Sequence, residues 1–182
     1  MREIELPASR EVLATLKAGE DLALSGPVFT ARDATHARIL AELERDGELP
    51  YGLSGAVLFY AGPTPPAAGR PVGAVGPTTA ARMDAFTPPL LAAGIAGAIG
   101  KGPRSEDVRR SIVEHGAVYF AAVGGSAALL GRHVTAVEPV AYADLGTEAL
   151  VRMTLDRFPV FVAIDSAGGD LYAQVTGRGE AS

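Results

Sequence analysis

The chain has 182 residues and a mass of 18.7 kDa, and it contains no cysteine. That excludes a disulfide framework, a thiol nucleophile, a zinc finger and an iron–sulfur cluster held by the chain's own thiolates. With 16 basic against 21 acidic residues, a net charge of −5 and no basic run longer than Arg109-Arg110, it lacks the cationic stripe that neutralises phosphates, so no nucleic-acid partner is expected. Hydrophobic residues make up 48% and mean hydropathy is +0.20, enough material for a core. The 22 glycines and 13 prolines predict many tight turns. The charged start, MREIELPASREV, has no apolar signal region, and the longest uncharged apolar stretch, Leu90 to Gly100, is too short and glycine-rich to span a bilayer. No membrane association and a cytoplasmic location are therefore expected, with residues 1–182 forming one domain.

In chain order, Arg2 to Leu6 alternates like a short strand, and Ser9 caps a helix running to Leu16. Leu22 to Phe29 reads as a strand broken by a Gly-Pro turn. Asp33 is placed to cap a helix to about Asp46, with Ile39, Leu40 and Leu43 on its apolar face. Gly55 to Tyr60 is a buried strand ending in the loop Ala-Gly-Pro-Thr-Pro-Pro, and Val72 to Val75 is a further short strand. Thr78 or Thr79 caps the segment Ala80 to Ala85. A helical piece after Pro88-Pro89 leads to a strand at Ile95–Ile99. Ser105 opens a helix that ends at His115 with Gly116 beyond it. Ala117 to Val123 is a strand, Gly124-Gly125-Ser126 a turn into a short helix, and Val134 to Val140 another strand. The tail from Leu150 to Val175 reads as antiparallel strands around Gly168-Gly169-Asp170. Alternating strands and helices predict an α/β fold with a mixed sheet, its function carried by the loops.

Three segments set cations beside small residues: Ser25 to Asp33, Gly76 to Asp84 and Gly100 to Pro103. Each sits where a strand ends, the usual place for ligands in α/β sheets. Free amides at Thr78 to Ala80 attract anions, and arginine forks onto carboxylates through two parallel bonds. Arg32, Arg82 and Lys101 can thus form a pocket for a dicarboxylate. The competing reading makes Arg32 and Arg82 surface residues paired with Asp33 and Asp84.

The segments SGPVFTARDATH (25–36), YAGP (60–63), GPTTAARMD (76–84), GKG (100–102) and GGSAALL (124–130), in this order, resemble the β subunit of iron–sulfur class I fumarate hydratases and, equally, that of L(+)-tartrate dehydratase. The resemblance runs from about Leu6 to Asp170. It implies a swivelling β/β/α domain and reversible addition of water across the double bond of a C4 dicarboxylate. It implies that Arg32, Arg82 and Lys101 bind substrate carboxylates with Thr79 beside them, and that Thr78 transfers a proton. It implies a [4Fe-4S] cluster on a cysteine-bearing α subunit, in an α2β2 assembly, with no metal on this chain. The alternatives are tartrate dehydration, or a non-catalytic anion-binding domain on the same fold.

His36 follows the TARD run, where it either supports the site together with Asp33 or faces solvent from the start of a helix. His115 at a helix end is explained by the helix dipole, and no two histidines have metal-ligand spacing. Gly124-Gly125-Ser126 lacks the rest of a nucleotide fingerprint and reads as a turn, as do Asp165 and Asp170.

Overall fold

The computed structural model describes residues 1–66, 68–122 and 126–177. Seven strands form one mixed, partly closed sheet in the order β1-β2-β3-β4-β5-β7-β6, with β7 also pairing back onto β2. The strands are β1 (Arg2–Glu5), β2 (Asp21–Thr30), β3 (Val57–Phe59), β4 (Gly97–Gly100), β5 (Val118–Ala121), β6 (Val134–Ala141) and β7 (Leu150–Ile164). From β1 to β5 every neighbouring pair is parallel, whereas β7 runs antiparallel to β2, β5 and β6.

β7 has 15 residues, long enough to lie along β2 from Asp21 to Thr30 with one edge and to serve both β6 and β5 with the other. This closes β2, β3, β4, β5 and β7 into a ring. Period-two alternation then sorts the side chains. Val57 and Phe59, Val118 and Phe120, Leu22 and Leu24, and Phe158, Val160 and Val162 fill one core. Leu58 and Tyr60, with Tyr119 and Ala121, point the other way, against helices α2 (Asp33–Asp46), α3 (Thr87–Ala92) and α4 (Glu106–His115). Those helices supply Ile39, Leu90, Leu91, Val108 and Ile112. Helix α1 (Arg10–Ala14) begins at Ser9, whose hydroxyl accepts the Val12 N–H, and α4 begins at Ser105, whose hydroxyl accepts the Val108 N–H. Both follow the residue that serine caps predict.

The structure departs from the sequence reading at five places. Gly26-Pro27 does not break the strand: β2 continues through it, with a register shift between Leu24 and Gly26 against β7. Asp33 is the first residue of α2 rather than its cap; that position belongs to Arg32, which makes no side-chain capping bond. Val72–Val75 is not a strand, although Val72 and Val75 are buried and Val75 N–H donates to the Ala127 carbonyl. Thr79 makes no capping bond, and Ala80–Met83 is a 3-10 turn. The tail is one strand and a helix, α6 (Leu171–Thr176), because the Asp170 carboxylate accepts the Tyr172 and Ala173 N–H groups and starts a helix where a hairpin was expected. The short helix α5 (Ala127–Leu130) forms as expected, while Val123, Gly124 and Gly125 lie outside the described residues. Among the described residues no helix is long and apolar enough to cross a membrane.

Candidate functional site

The candidate residues meet at the carboxyl ends of the parallel strands β2, β3 and β4. Beyond β3, Tyr60 accepts the Thr78 N–H at 2.6 Å, and Ala61 bridges to Pro77. Beyond β4, Lys101 bridges to Thr79: its N–H donates to Thr78 O at 3.3 Å and its carbonyl accepts the Ala80 N–H at 2.9 Å. The backbone itself therefore joins the threonine pair to Lys101. Beyond β2, Arg32 and Asp33 open α2. Asp33 receives the Arg82 fork, Nη2 to Oδ2 at 2.8 Å and Nε to Oδ1 at 3.2 Å, tying the 3-10 turn to the helix start. Thr78, Thr79, Arg82, Lys101, Arg32 and Asp33 thus form one contiguous group.

The pairings expected for simple surface arginines are not those found. Arg82 pairs with Asp33, from the TARD run, and Arg32 faces Glu148, its Nη2 3.7 Å from Oε1. Glu148 was not singled out in the sequence. Its other oxygen accepts the Ala34 N–H at 2.9 Å, and its backbone carbonyl accepts the Thr35 hydroxyl. A carboxylate at the start of a helix satisfies amides left without intrahelical partners. Glu148 sits more than a hundred residues from α2, so no local pattern could have revealed it. Arg32 is about three-quarters buried, and its Nε has no acceptor among the described residues. A Cβ on Gly62 would come within 3.1 Å of Arg32 Nη1, so glycine at that point of the YAGP run leaves the guanidinium its space. Arg82 is half exposed, and Lys101 is exposed with no ion pair among the described residues.

His36 is buried, not solvent-facing. Its Nδ1 lies 2.8 Å from the Arg32 carbonyl, which can only accept, so the ring carries its proton there. The ring packs edge-on to Tyr60, with centroids 5.2 Å apart, and against Phe86. His36 therefore supports the backbone of Arg32 from below. Burial, reinforced by the nearby charge of Arg104 and partly offset by the hydrogen bond to Arg32, lowers its pKa from 6.5 to about 4. The fold accordingly favours the neutral ring. This contribution to stability is complete above about pH 6.5 and is lost as the pH falls toward about 4, for a total of about 3 kcal/mol. Urea unfolding across that range should show the loss in the wild type and a shallower one in His36→Asn, whose amide keeps a donor for Arg32; coincident profiles would refute the assignment.

Two tyrosines that the sequence reading passed over fix the loop after Lys101. Tyr119 OH donates to Gly102 O at 2.9 Å, and Gly102 N–H donates to Tyr172 OH at 3.0 Å. Burial raises the pKa of the Tyr119 phenol, so it stays a neutral donor. His115 ends α4 ahead of left-handed Gly116, as expected, and His133 contacts the Asp156 carbonyl at 3.0 Å. Asp165 accepts three amides, from Ala18, Ala167 and Gly169, which keep its pKa below the usual range despite burial, so it is a turn former as expected.

The sequence model of the Fumarase C-terminus family matches residues 1–175. The chain is 34% identical over 174 residues to the anaerobic class I fumarate hydratase of Escherichia coli strain K12, covering 93% of this chain and 32% of that protein. It is 36% identical over 156 residues to the mitochondrial fumarate hydratase 1 of Leishmania major, covering 85% of this chain and 28% of that protein. It is 34% identical over 166 residues to the Methanocaldococcus jannaschii protein named "Putative L(+)-tartrate dehydratase subunit beta", covering 88% of this chain and 85% of that one. The chain thus spans about a third of the length of the fumarate hydratases it matches and most of the length of the third relative.

Proposed function

The chain belongs to the Fumarase C-terminus family, and on that premise we propose that it is the β subunit of a two-chain hydro-lyase that hydrates fumarate to (S)-malate reversibly and is inactive alone. The observation that carries the proposal is the convergence of Arg32, Arg82, Thr78 and Lys101 at the ends of three neighbouring parallel strands. Its partner is a cysteine-bearing α subunit in an α2β2 assembly, and the location is cytoplasmic.

In this reading the arginine forks and Lys101 hold the two carboxylates of a C4 acid, with Thr79 beside them. Removing the proton next to a carboxylate builds negative charge on that group, so cations already aimed at it lower the barrier. The Nε of Arg32 is buried and has no acceptor among the described residues, so it is the guanidinium's exposed edge that this reading turns to the carboxylate. Thr78 hands on the proton; a hydroxyl is a weak base alone, so it acts together with groups of the partner. This chain's donor set does not fit a cluster: it has no thiolate, and among the described residues no group of three or more His, Asp or Glu is placed to hold a metal. In this reading the [4Fe-4S] cluster belongs to the α subunit.

L(+)-tartrate dehydration is the second reading, favoured by the Methanocaldococcus jannaschii relative, which has nearly the same length as this chain. Co-expression with the α-like chain, anaerobic cluster assembly and assays on fumarate, malate and both tartrates test the proposal. Turnover of fumarate and malate above the tartrates is expected. The reverse order selects the second reading, and no turnover on any of them indicates a non-catalytic anion-binding domain.

A further inference from the structure

The guanidinium of Arg104 is fully enclosed, with its side chain 0% exposed, two residues beyond Gly102. It spends its donors on groups from separate segments. Nε donates to Asp84 Oδ1 at 2.7 Å, Nη2 to Thr87 Oγ1 at 2.7 Å, and Nη1 lies 3.4 Å from Tyr60 OH. Its Cζ lies over both the Tyr60 and Tyr119 rings, 5.3 and 5.0 Å from their centroids. The partners continue the brace: Asp84 Oδ2 accepts the Ser105 N–H at 2.8 Å, and Thr87 Oγ1 donates to the Met83 carbonyl at 2.8 Å.

Apart from Thr87 at the start of α3, those segments adjoin or bond to residues of the candidate site. Tyr60 follows β3 and accepts the Thr78 N–H; Met83 and Asp84 follow Arg82; Arg104 and Ser105 follow Lys101. We propose that Arg104 is a positioning residue for the dicarboxylate site, setting the placement of Arg82 and Thr78 relative to Lys101 without touching substrate itself. The proposal rests on the hydro-lyase reading above. A planar fork suits this role because it holds three acceptors in fixed directions while stacking on aromatic faces, which an ammonium cannot do. The cost of enclosing the charge is met by Asp84 and the ring faces. Misplacing one cation of a preorganised clamp by about 1 Å is enough to cost about a hundredfold in rate.

The test uses the assembled two-chain enzyme with Arg104→Lys and Asp84→Asn, the second altering the brace while leaving Arg104 in place. Ile112→Val, a core change in α4 on the same side of the sheet, controls for lost stability. The KM for fumarate is expected to rise about tenfold in both brace variants and to stay at the wild-type value in Ile112→Val after its melting temperature has fallen. Unchanged KM in Arg104→Lys and Asp84→Asn with an active wild type overturns the positioning role alone. An inactive wild-type pair overturns the hydro-lyase reading, and this inference with it. If Arg104→Lys does not fold, Asp84→Asn decides the outcome by the same criterion.

Discussion

Replacing Arg82 with alanine is expected to lower kcat/KM of the assembled hydro-lyase about a thousandfold, or ~4 kcal/mol of transition-state stabilisation. The size follows from the role proposed for it. A bidentate, charge-assisted contact to a carboxylate that gains negative charge during proton removal strengthens on the way to the transition state. Without substrate the fork rests on Asp33 at a position where Arg82 is half exposed. Exposed pairs contribute no more than about 1 kcal/mol, so the variant should unfold near the wild-type midpoint and its activity loss cannot be attributed to misfolding. Arg82→Lys should recover only part of the loss, since one ammonium does not reproduce the fork. Near-normal kcat/KM in Arg82→Ala would remove Arg82 from the site. A matched change at Arg45, whose exposed side chain pairs with its neighbour Asp46, should leave kinetics unaltered.

The second large effect concerns the fold. Gly26 lies in the middle of β2 at φ +104°, and a Cβ there would overlap the backbone carbonyl oxygen of Leu6. That carbonyl cannot retreat cheaply, because the Leu6 N–H is bound to Ser25 O at 2.7 Å where the chain leaves β1. Gly26→Ala therefore combines conformational strain of about 1–3 kcal/mol with overpacking of similar size. A total loss of about 4 kcal/mol is expected, on the order of a 10 °C fall in Tm for a chain this long. Gly47 separates the two contributions. It also has positive φ, +77°, as the left-handed cap of α2, but nothing lies within 4 Å of a Cβ built on it. Gly47→Ala should therefore cost only about 1 kcal/mol. Equal losses in the two variants would show that the close approach to Leu6 carries no energy.

This glycine also shows where local pattern stopped being informative. Gly-Pro inside an apolar run reads as a turn, and the strand continues only because β7 pairs with it on both sides of the bulge. The tail was misread for the complementary reason. Leu150 to Val175 reads as antiparallel strands around Gly168-Gly169-Asp170; the first, Leu150–Ile164, forms and stays extended over 15 residues to serve β2, β5 and β6, but Asp170 then starts a helix in place of the returning strand. Serine caps at α1 and α4 and the glycine after His115 were legible because capping depends on residues three or four positions apart.

The site divided along the same line. Arg32, Arg82, Thr78 and Lys101 were legible as motifs: Arg32 and Lys101 sit just beyond β2 and β4, and Thr78 and Arg82 lie on a non-strand segment whose backbone bonds to Tyr60 and Lys101. Their partners were not. Asp33 was expected beside Arg32 and instead binds Arg82, 49 residues away; Glu148 reaches Ala34 across 114 residues; and Tyr172 lies past the end of the recognisable motifs. Arg104 was missed because it follows the GKG run, and its importance rests on burial that composition does not encode.

The central claim is that this chain supplies a carboxylate clamp whose chemistry is completed by another polypeptide. Fumarate hydration measured at a fixed concentration of this chain, while the cluster-loaded α-like chain is titrated in, tests it most directly. The prediction is no turnover from the chain alone and a rise that saturates at equal amounts of the two chains. Appreciable fumarase turnover by the purified, iron-free chain without its partner would contradict it.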